Sequence, residues 1–372
     1  YGPFSAAYPG NSVGAVVDYQ TRMPKQFEVH AKAGYVSQPF SLYNTQDNYK
    51  AWQTSASVGN KSGDLAWWIN FNHTDSHGQP LTFATRLVSS GTTSSSGTRV
   101  TGAVLNASNT NAPWYVLGTG TEYHTKQDHI KAKLAYDITP TVRAAYTLGI
   151  WQNQSEGRPL SYLRNAAGQA VYSGSINIDG KSYAALTGGD FALTNESLTH
   201  FMHGLSVKSH TKGVWDWEVA ASLYDYSKDN KRQNGAAAVL PNAAFGGPGT
   251  VADGSGTGWN NLAAKGTWRP SGMKGAHIVD FGVGQDNYKL QYLTNNIAGN
   301  WLTDPAGSVA SNVGGRTQTN SLWAQDAWAF APNWKTVLGA RSEQWRAFNG
   351  QTAFSATSAS TYPDRKETYV SP

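Results

Sequence analysis

Four stretches hold residue types that could do chemistry. Gly10-Asn11-Ser12-Val13-Gly14 has the G-x-S-x-G spacing of a nucleophile elbow, in which a sharp strand-to-helix turn exposes a serine hydroxyl. That use needs a helix after the serine. The next residues, AVVDYQTR, are a strand-like run, so the stretch reads as a tight glycine turn and no catalytic residue is assigned. His73, Asp75 and His77 alternate onto one strand face, a spacing that could hold a metal ion. A polar strand end meeting water is the commoner use of such residues, and no metal site is assigned. His200 and His203 have opposite parity, so they fall on opposite faces and do not pair. GGPGTVADGSGTG is glycine-rich but lacks the Lys-Ser/Thr and helix of a phosphate loop, which leaves a mobile loop as its reading. The chain is therefore not read as an enzyme, and no cofactor is expected.

The elements that position these residues are set by composition and alternation. Of 372 residues, only 14% are charged and 39% are apolar, yet there are 14 Trp, 19 Tyr and 39 Gly. A soluble core of this size would draw on more Leu and Ile, and average soluble domains carry roughly 25% charge. Helical membrane spans need about 18 or more consecutive apolar residues, and the longest apolar run here, around Ala236 to Leu240, is far shorter. The absence of cysteine excludes disulfides, thiolate metal sites and Cys nucleophiles. A net charge of +5 without a basic tract argues against a nucleic-acid partner.

Period-two alternation runs through most of the chain. Phe27, Val29, Ala31, Ala33 and Tyr35 share a face, as do Leu65, Trp67, Ile69 and Phe71, and Trp215, Trp217, Val219, Ala221 and Leu223. About eleven strands are predicted in this way, with a twelfth starting at Glu367. The connections alternate between short ones (NKSGD, DITPT, HTKG, RPSGMKG, FAPNW) and long polar ones, expected at 37–50, 75–121, 152–197, 227–257, 294–315 and after 346. A sheet with short turns at one end and long loops at the other, apolar on one face and wet on the other, has the layout of an outer-membrane β-barrel. Lys131, Lys133, Arg143, Lys208, Lys265, Arg269, Arg341 and Glu343 all fall on the wet face, where they would line a hydrated wall or guide an anionic ligand.

The opening stretch carries a resemblance. Gly2, Pro3, Ser5, Ala6, Tyr8, Gly14, Val16, Val17, Thr21, Arg22 and Pro24 of YGPFSAAYPGNSVGAVVDYQTRMP resemble the end of the plug domain of TonB-dependent outer-membrane receptors, with Ala15 and Asp18 departing from the usual Gly and Asn. HIKAKLAYDITPTVRAAYTLGIW and TQTNSLWAQDAWAFAPNWKTVLGARSEQW look like barrel hairpins of the same family, and KETYVSP is similar to one of its strand openings. The resemblance implies an all-β fold: residues 1–25 as the C-terminal end of a plug, and residues 26–372 as the N-terminal half of a transmembrane antiparallel barrel of about 22 strands. On this reading most of the plug and the TonB-contacting segment precede Tyr1, and half the barrel comes after Pro372.

The functions implied are those of that family. The expectation is active import, across the outer membrane of a Gram-negative bacterium, of a scarce small-molecule ligand, a ferric siderophore first. Vitamin B12, haem or oligosaccharide uptake and a passive porin-type channel are the alternatives. The implied partners are TonB, outer-membrane lipid and lipopolysaccharide. Ligand contacts would lie on plug apices and extracellular loops, where aromatic and Arg side chains suit bulky chelates. Trp114, Tyr115, Arg158, Tyr162, Arg164 and Trp301 are the candidates, each equally placed to pack its own loop. Arg22 is the candidate plug cation, with Glu218 and Glu343 as barrel carboxylates and Arg341 beside them.

Overall fold

The computed structural model describes residues 5–8, 21–355 and 357–371. The described chain is all-β, with two short 3₁₀ turns and no helix long and apolar enough to cross a membrane. Its strands are β1 (Glu28–Leu42), β2 (Thr45–Ser62), β3 (Leu65–His77), β4 (Phe83–Leu87), β5 (Thr92–Thr93), β6 (Thr98–Arg99), β7 (Val104–Ala107), β8 (Pro113–Thr119), β9 (Glu122–Thr139), β10 (Val142–Arg158), β11 (Gly174–Ile178), β12 (Lys181–Leu186), β13 (Thr194–Ser209), β14 (Trp215–Asn234), β15 (Gly249–Asp253), β16 (Gly258–Trp268), β17 (His277–Ile297), β18 (Val309–Ala331), β19 (Trp334–Ala353), β20 (Ala359–Tyr362) and β21 (Arg365–Ser371).

Fourteen of these build one antiparallel sheet in the order β1-β2-β3-β9-β10-β13-β14-β15-β17-β18-β19-β20, with β16 also between β14 and β17 and β21 also on β19. Because β15 and β16 share one lane, and β20 and β21 another, the sheet has twelve lanes, in line with eleven strands and a twelfth beginning. Each lane hydrogen-bonds to its neighbour with few shifts of register, so residues of one parity line up across the sheet.

Two adjacent rows show what this register does. Leu65, Tyr136, Ala144, Val207, Val219, Ala264, Val283 and Leu322 lie directly opposite one another in turn, an unbroken apolar row across eight strands. One residue along, on the other face, Asp137, Arg143, Lys208, Glu218, Lys265, Gly282, Trp323 and Arg341 form a second row. The apolar face is open: Leu205 is 52% exposed, Val283 52% and Leu322 61%. The other face buries small and charged side chains instead, among them Ala66, Ala135, Lys133, Ser321 and Arg341.

Two expectations about the connections are corrected. The loop expected at 37–50 is a two-residue turn, Tyr43-Asn44, between β1 and β2, and Tyr43 takes the positive φ of 54° that so tight a reversal requires. The loops expected at 152–197, 227–257 and 294–315 are shorter than read, because β10, β13, β14, β17 and β18 run on past the apolar band. There both faces are polar, so alternation of hydropathy stops while backbone pairing continues.

The connections 78–121 and 159–193 are not separate loops. β4, β7 and β8 form one small sheet, while β5 and β6 of the first connection pair with β12 and β11 of the second. Together they enclose a compact core of Leu117, Leu163, Ile176, Ile178, Tyr183, Leu186 and Phe191, each 3% exposed or less.

Candidate functional site

The polar face carries a seated segment. Lys133 projects from β9, where Trp68 of β3 stands opposite it and faces its ammonium group at 5.6 Å. The ammonium donates to the Thr21 hydroxyl and to the Arg22 carbonyl, each at 2.8 Å. A Cβ at Gly59 would come within 2.5 Å of the Pro24 ring and 3.0 Å of the Trp68 ring, so glycine there admits the proline against the sheet. Across the same face, Arg341 donates to the Ala6 carbonyl and, at 2.8 Å, to the Glu343 carboxylate. The Ser5 hydroxyl donates to Gln325 at 3.1 Å. A Cβ at Gly339 would sit 2.8 Å from that of Ala6. Residues 5–8 therefore rest on β18 and β19, and residues 21–24 on β2, β3 and β9.

Arg341 is 6% exposed, a position costly for a cation unless its donors are met. The Glu343 carboxylate and the Ala6 carbonyl each accept one of those donors, so the segment's backbone helps to satisfy the arginine. The row holding Arg341 is largely paired within itself: Arg143 grips Asp137, and Lys265 lies 3.5 Å from Glu218. Arg22 is ion-paired at 2.9 Å with Glu28 at the start of β1. The sheet thus brings Arg341 and Glu343 together, while Arg22 and Glu218 each have a nearer partner.

The six loop candidates divide by what they touch. Tyr162 is 5% exposed and shares a hydrogen bond with the Thr45 hydroxyl at 2.5 Å. Trp301 is 3% exposed and donates its indole N–H to the Ala243 carbonyl at 2.8 Å, inside a second small core with Leu193 and Ala238. Arg164 donates to the Ser161 and Leu163 carbonyls. Tyr115 donates to Asp179 at 2.8 Å, which pushes its phenol up to about 12. Trp114 is half-buried, pairing with Leu87 and Asn106 across its sheet. Arg158 is the open one: it lines two clefts that meet at the end of β10, one of about 260 Å³ with His124 and one of about 90 Å³ with Trp301.

The loop cluster is also pinned electrostatically. Arg86 on β4 makes a forked contact with Asp190, with distances of 2.6 and 2.9 Å. Burial alone would raise the Asp190 carboxyl, but Arg86 and the Thr187 N–H and hydroxyl outweigh it and hold Asp190 below the usual carboxylate range.

Of the remaining motifs, Gly10 to Gly14 lies outside the described residues. His200 bonds Tyr224 and Asp229, while His203 bonds Tyr146, in keeping with their opposite parity. Part of the glycine-rich stretch, expected as a mobile loop, is the strand β15 held between β14 and β17. His73 turns to Asp128 at 2.7 Å, whereas Asp75 and His77 meet His124 of β9.

Trp68, Gln325, Gly59, Gly339 and His124 are not singled out by spacing or composition. Each matters only through a distant partner, as in the Ser5–Gln325 contact across 320 residues. No family model matches the chain, and a search of curated proteins returns no match.

Proposed function

We propose that the large sheet forms part of the wall of an outer-membrane β-barrel, and that the chain works as a TonB-dependent active transporter for a scarce ligand, a ferric siderophore first. The observation that carries the proposal is the pairing of two faces: an exposed apolar row eight strands wide, and behind it a charged row on which residues 5–8 and 21–24 are seated. A water-exposed apolar surface of that width is a liability for a soluble protein. Against lipid it is the stable arrangement.

In this reading residues 1–25 close the plug and residues 26–372 supply barrel strands. The charged row is the lumen wall, the clustered connections 78–121 and 159–193 are extracellular, and TonB acts from the periplasm on a preceding segment. Transport would require the plug segment to leave or shift on contacts that are few and polar, which suits a part that must move. The seated segment favours this reading over a passive porin-type channel, whose lumen is open.

The test is uptake by a deletion strain offered a panel of ferric chelates, haem, vitamin B12 and oligosaccharides, with and without functional TonB. Loss of TonB-dependent uptake of one ligand is expected. Unimpaired uptake of every ferric chelate removes the siderophore assignment, and loss of small-solute permeability independent of TonB favours the passive channel.

A further inference from the structure

The register of β3, β9 and β10 places a row of ligating side chains just past the apolar band. His77 stands directly opposite His124, and His124 directly opposite Glu156. These residues share parity with Ile69, Phe71 and Ile130, so they continue the apolar face beyond its end, toward the long connections. Asp75 joins from the diagonal: its carboxylate lies 2.8 Å from the His124 Nε2. The imidazoles of His77 and His124 stack with centroids 4.0 Å apart and planes 8° from parallel. One ligand atom from each of Asp75, His77 and His124 lies within 4.8 Å of the others.

A second observation comes from Glu122. It lines the same cleft of about 260 Å³ as His77, His124 and Glu156. Tyr49 satisfies one of its carboxylate oxygens at 3.0 Å, but the other, Oε1, is shielded from water and has no hydrogen-bond partner. An unmet carboxylate oxygen costs free energy unless a cation or donor supplies the missing contact.

We propose that Asp75, His77 and His124 bind a divalent cation of the zinc class, with the Glu122 carboxylate in the same cleft to complete the shell, while Glu156, which also lines the cleft, is ion-paired with Arg158 at 3.4 Å. Two imidazoles and a carboxylate are the donor set that zinc, cobalt and nickel accept and that calcium and magnesium, which prefer all-oxygen shells, do not. Zinc bonds to nitrogen and oxygen at about 2.0–2.2 Å in a tetrahedron, so the widest donor separation, up to 4.8 Å, has to close by roughly an ångström, within reach of side-chain rotation. The His124–Asp75 hydrogen bond would open as the metal takes the Nε2 position. Bound there, the ion stitches β3 to β9 where the two strands leave the band and the connection 78–121 begins. The site lies on the apolar-band face rather than the charged-row face, which assigns it a clamping role and not that of transported cargo. The chemistry does not depend on the transport proposal; only its side of the membrane does.

The test is titration of the purified, folded chain with Co²⁺, read by visible absorption, with subsequent displacement by Zn²⁺. One equivalent giving the intense bands of a tetrahedral cobalt site, and a rise in thermal midpoint with Zn²⁺ but not Mg²⁺, is expected. His77→Gln and His124→Gln should each abolish the bands. His73→Gln, on the same face but engaged with Asp128, should leave them intact and serves as the folding-matched control. Absence of a stoichiometric cobalt spectrum, or a spectrum unchanged in both His77→Gln and His124→Gln, overturns the proposal and leaves a hydrogen-bonded pair beside a ring stack. Membrane fractionation of the same variants reads the transport proposal separately, since cobalt binding is measured in detergent whatever the protein's location.

Discussion

The large sheet and the loop cluster on its rim are built from the same kinds of residue in opposite arrangements. In the cluster, Leu117, Leu163, Ile176 and Phe191 are closed off from solvent, with Tyr115 and Tyr172 packed against the core they form. In the sheet, Leu205, Trp217, Val283 and Leu322 stand open, and the side chains that are closed off are Ala135, Lys133, Ser321 and Arg341. Burying an apolar side chain gains about 1.5–3 kcal/mol in water, so the cluster obeys the rule for a surface in water and the sheet inverts it. On the proposed barrel reading, the difference is that of one molecule adapted to two solvents, with the boundary near Phe71 and Ile130, where His73 and Asp128 take over on the same face.

The comparison can be broken by substitutions on either side of that boundary. The largest effect belongs to the cluster. Phe191→Ala should cost it about 3–5 kcal/mol, the usual loss for emptying an aromatic site in a core. Hydrogen exchange should then show 78–121 and 159–193 losing protection while β9, β10 and β13 keep theirs. Next, Val219→Arg on the apolar row should cost about 2–4 kcal/mol of folding into lipid vesicles, the penalty of a cation at the bilayer midplane. On a sheet face in water the same change would fall within about 0.5 kcal/mol, so a null result would end the two-solvent account.

Gly339→Leu should unseat residues 5–8 by driving a side chain into Ala6 and Gln325. Overpacking of this kind costs about 1–3 kcal/mol, and the readout is faster proteolysis near the N-terminus with the sheet intact. A smaller effect is expected from acid. Asp190 has a lowered pKa, so its contribution is fully present above the ordinary carboxylate value near 4 and is lost as pH falls through the lower folded value. Acid should therefore loosen the cluster below about pH 4 before the sheet, and Asp190→Asn should remove that step, as tracked by hydrogen exchange across the acid range. The least effect is expected from Arg346→Ala. Its 2.6 Å pair with Asp364 is about half-exposed at both ends, and such pairs contribute about 0–1 kcal/mol; the denaturant midpoint should barely move.

Much of the sheet was legible from the residues. Leu65 to Phe71, Ile130 to Ile138 and Trp215 to Leu223 alternate cleanly because one face is apolar along its whole length and the other is mostly polar. The eight charged residues assigned to the wet face share it for the same reason: parity is a local property of the chain. The extension of β17 to Ile297 and of β18 back to Val309 was not legible, since neither face there is apolar. The site was less readable still. Tyr162 and Trp301 have the composition of ligand contacts and the burial of core residues. His73 and His124 are equally plausible neighbours for Asp75 in sequence terms, and the choice of His124 rests on the register of β3 against β9.

The sequence by itself determined the strand character, the two-faced sheet and the lack of cysteine chemistry, because each is written in spacing two residues apart or in composition. Tertiary structure alone decided which strands are neighbours, that the connections 78–121 and 159–193 share one core, that Arg341 donates to the Ala6 carbonyl, and that His124 joins Asp75 and His77. The physical reason is range: alternation acts between adjacent residues, whereas a hydrogen bond across 335 positions exists only once the sheet's register has brought its ends together.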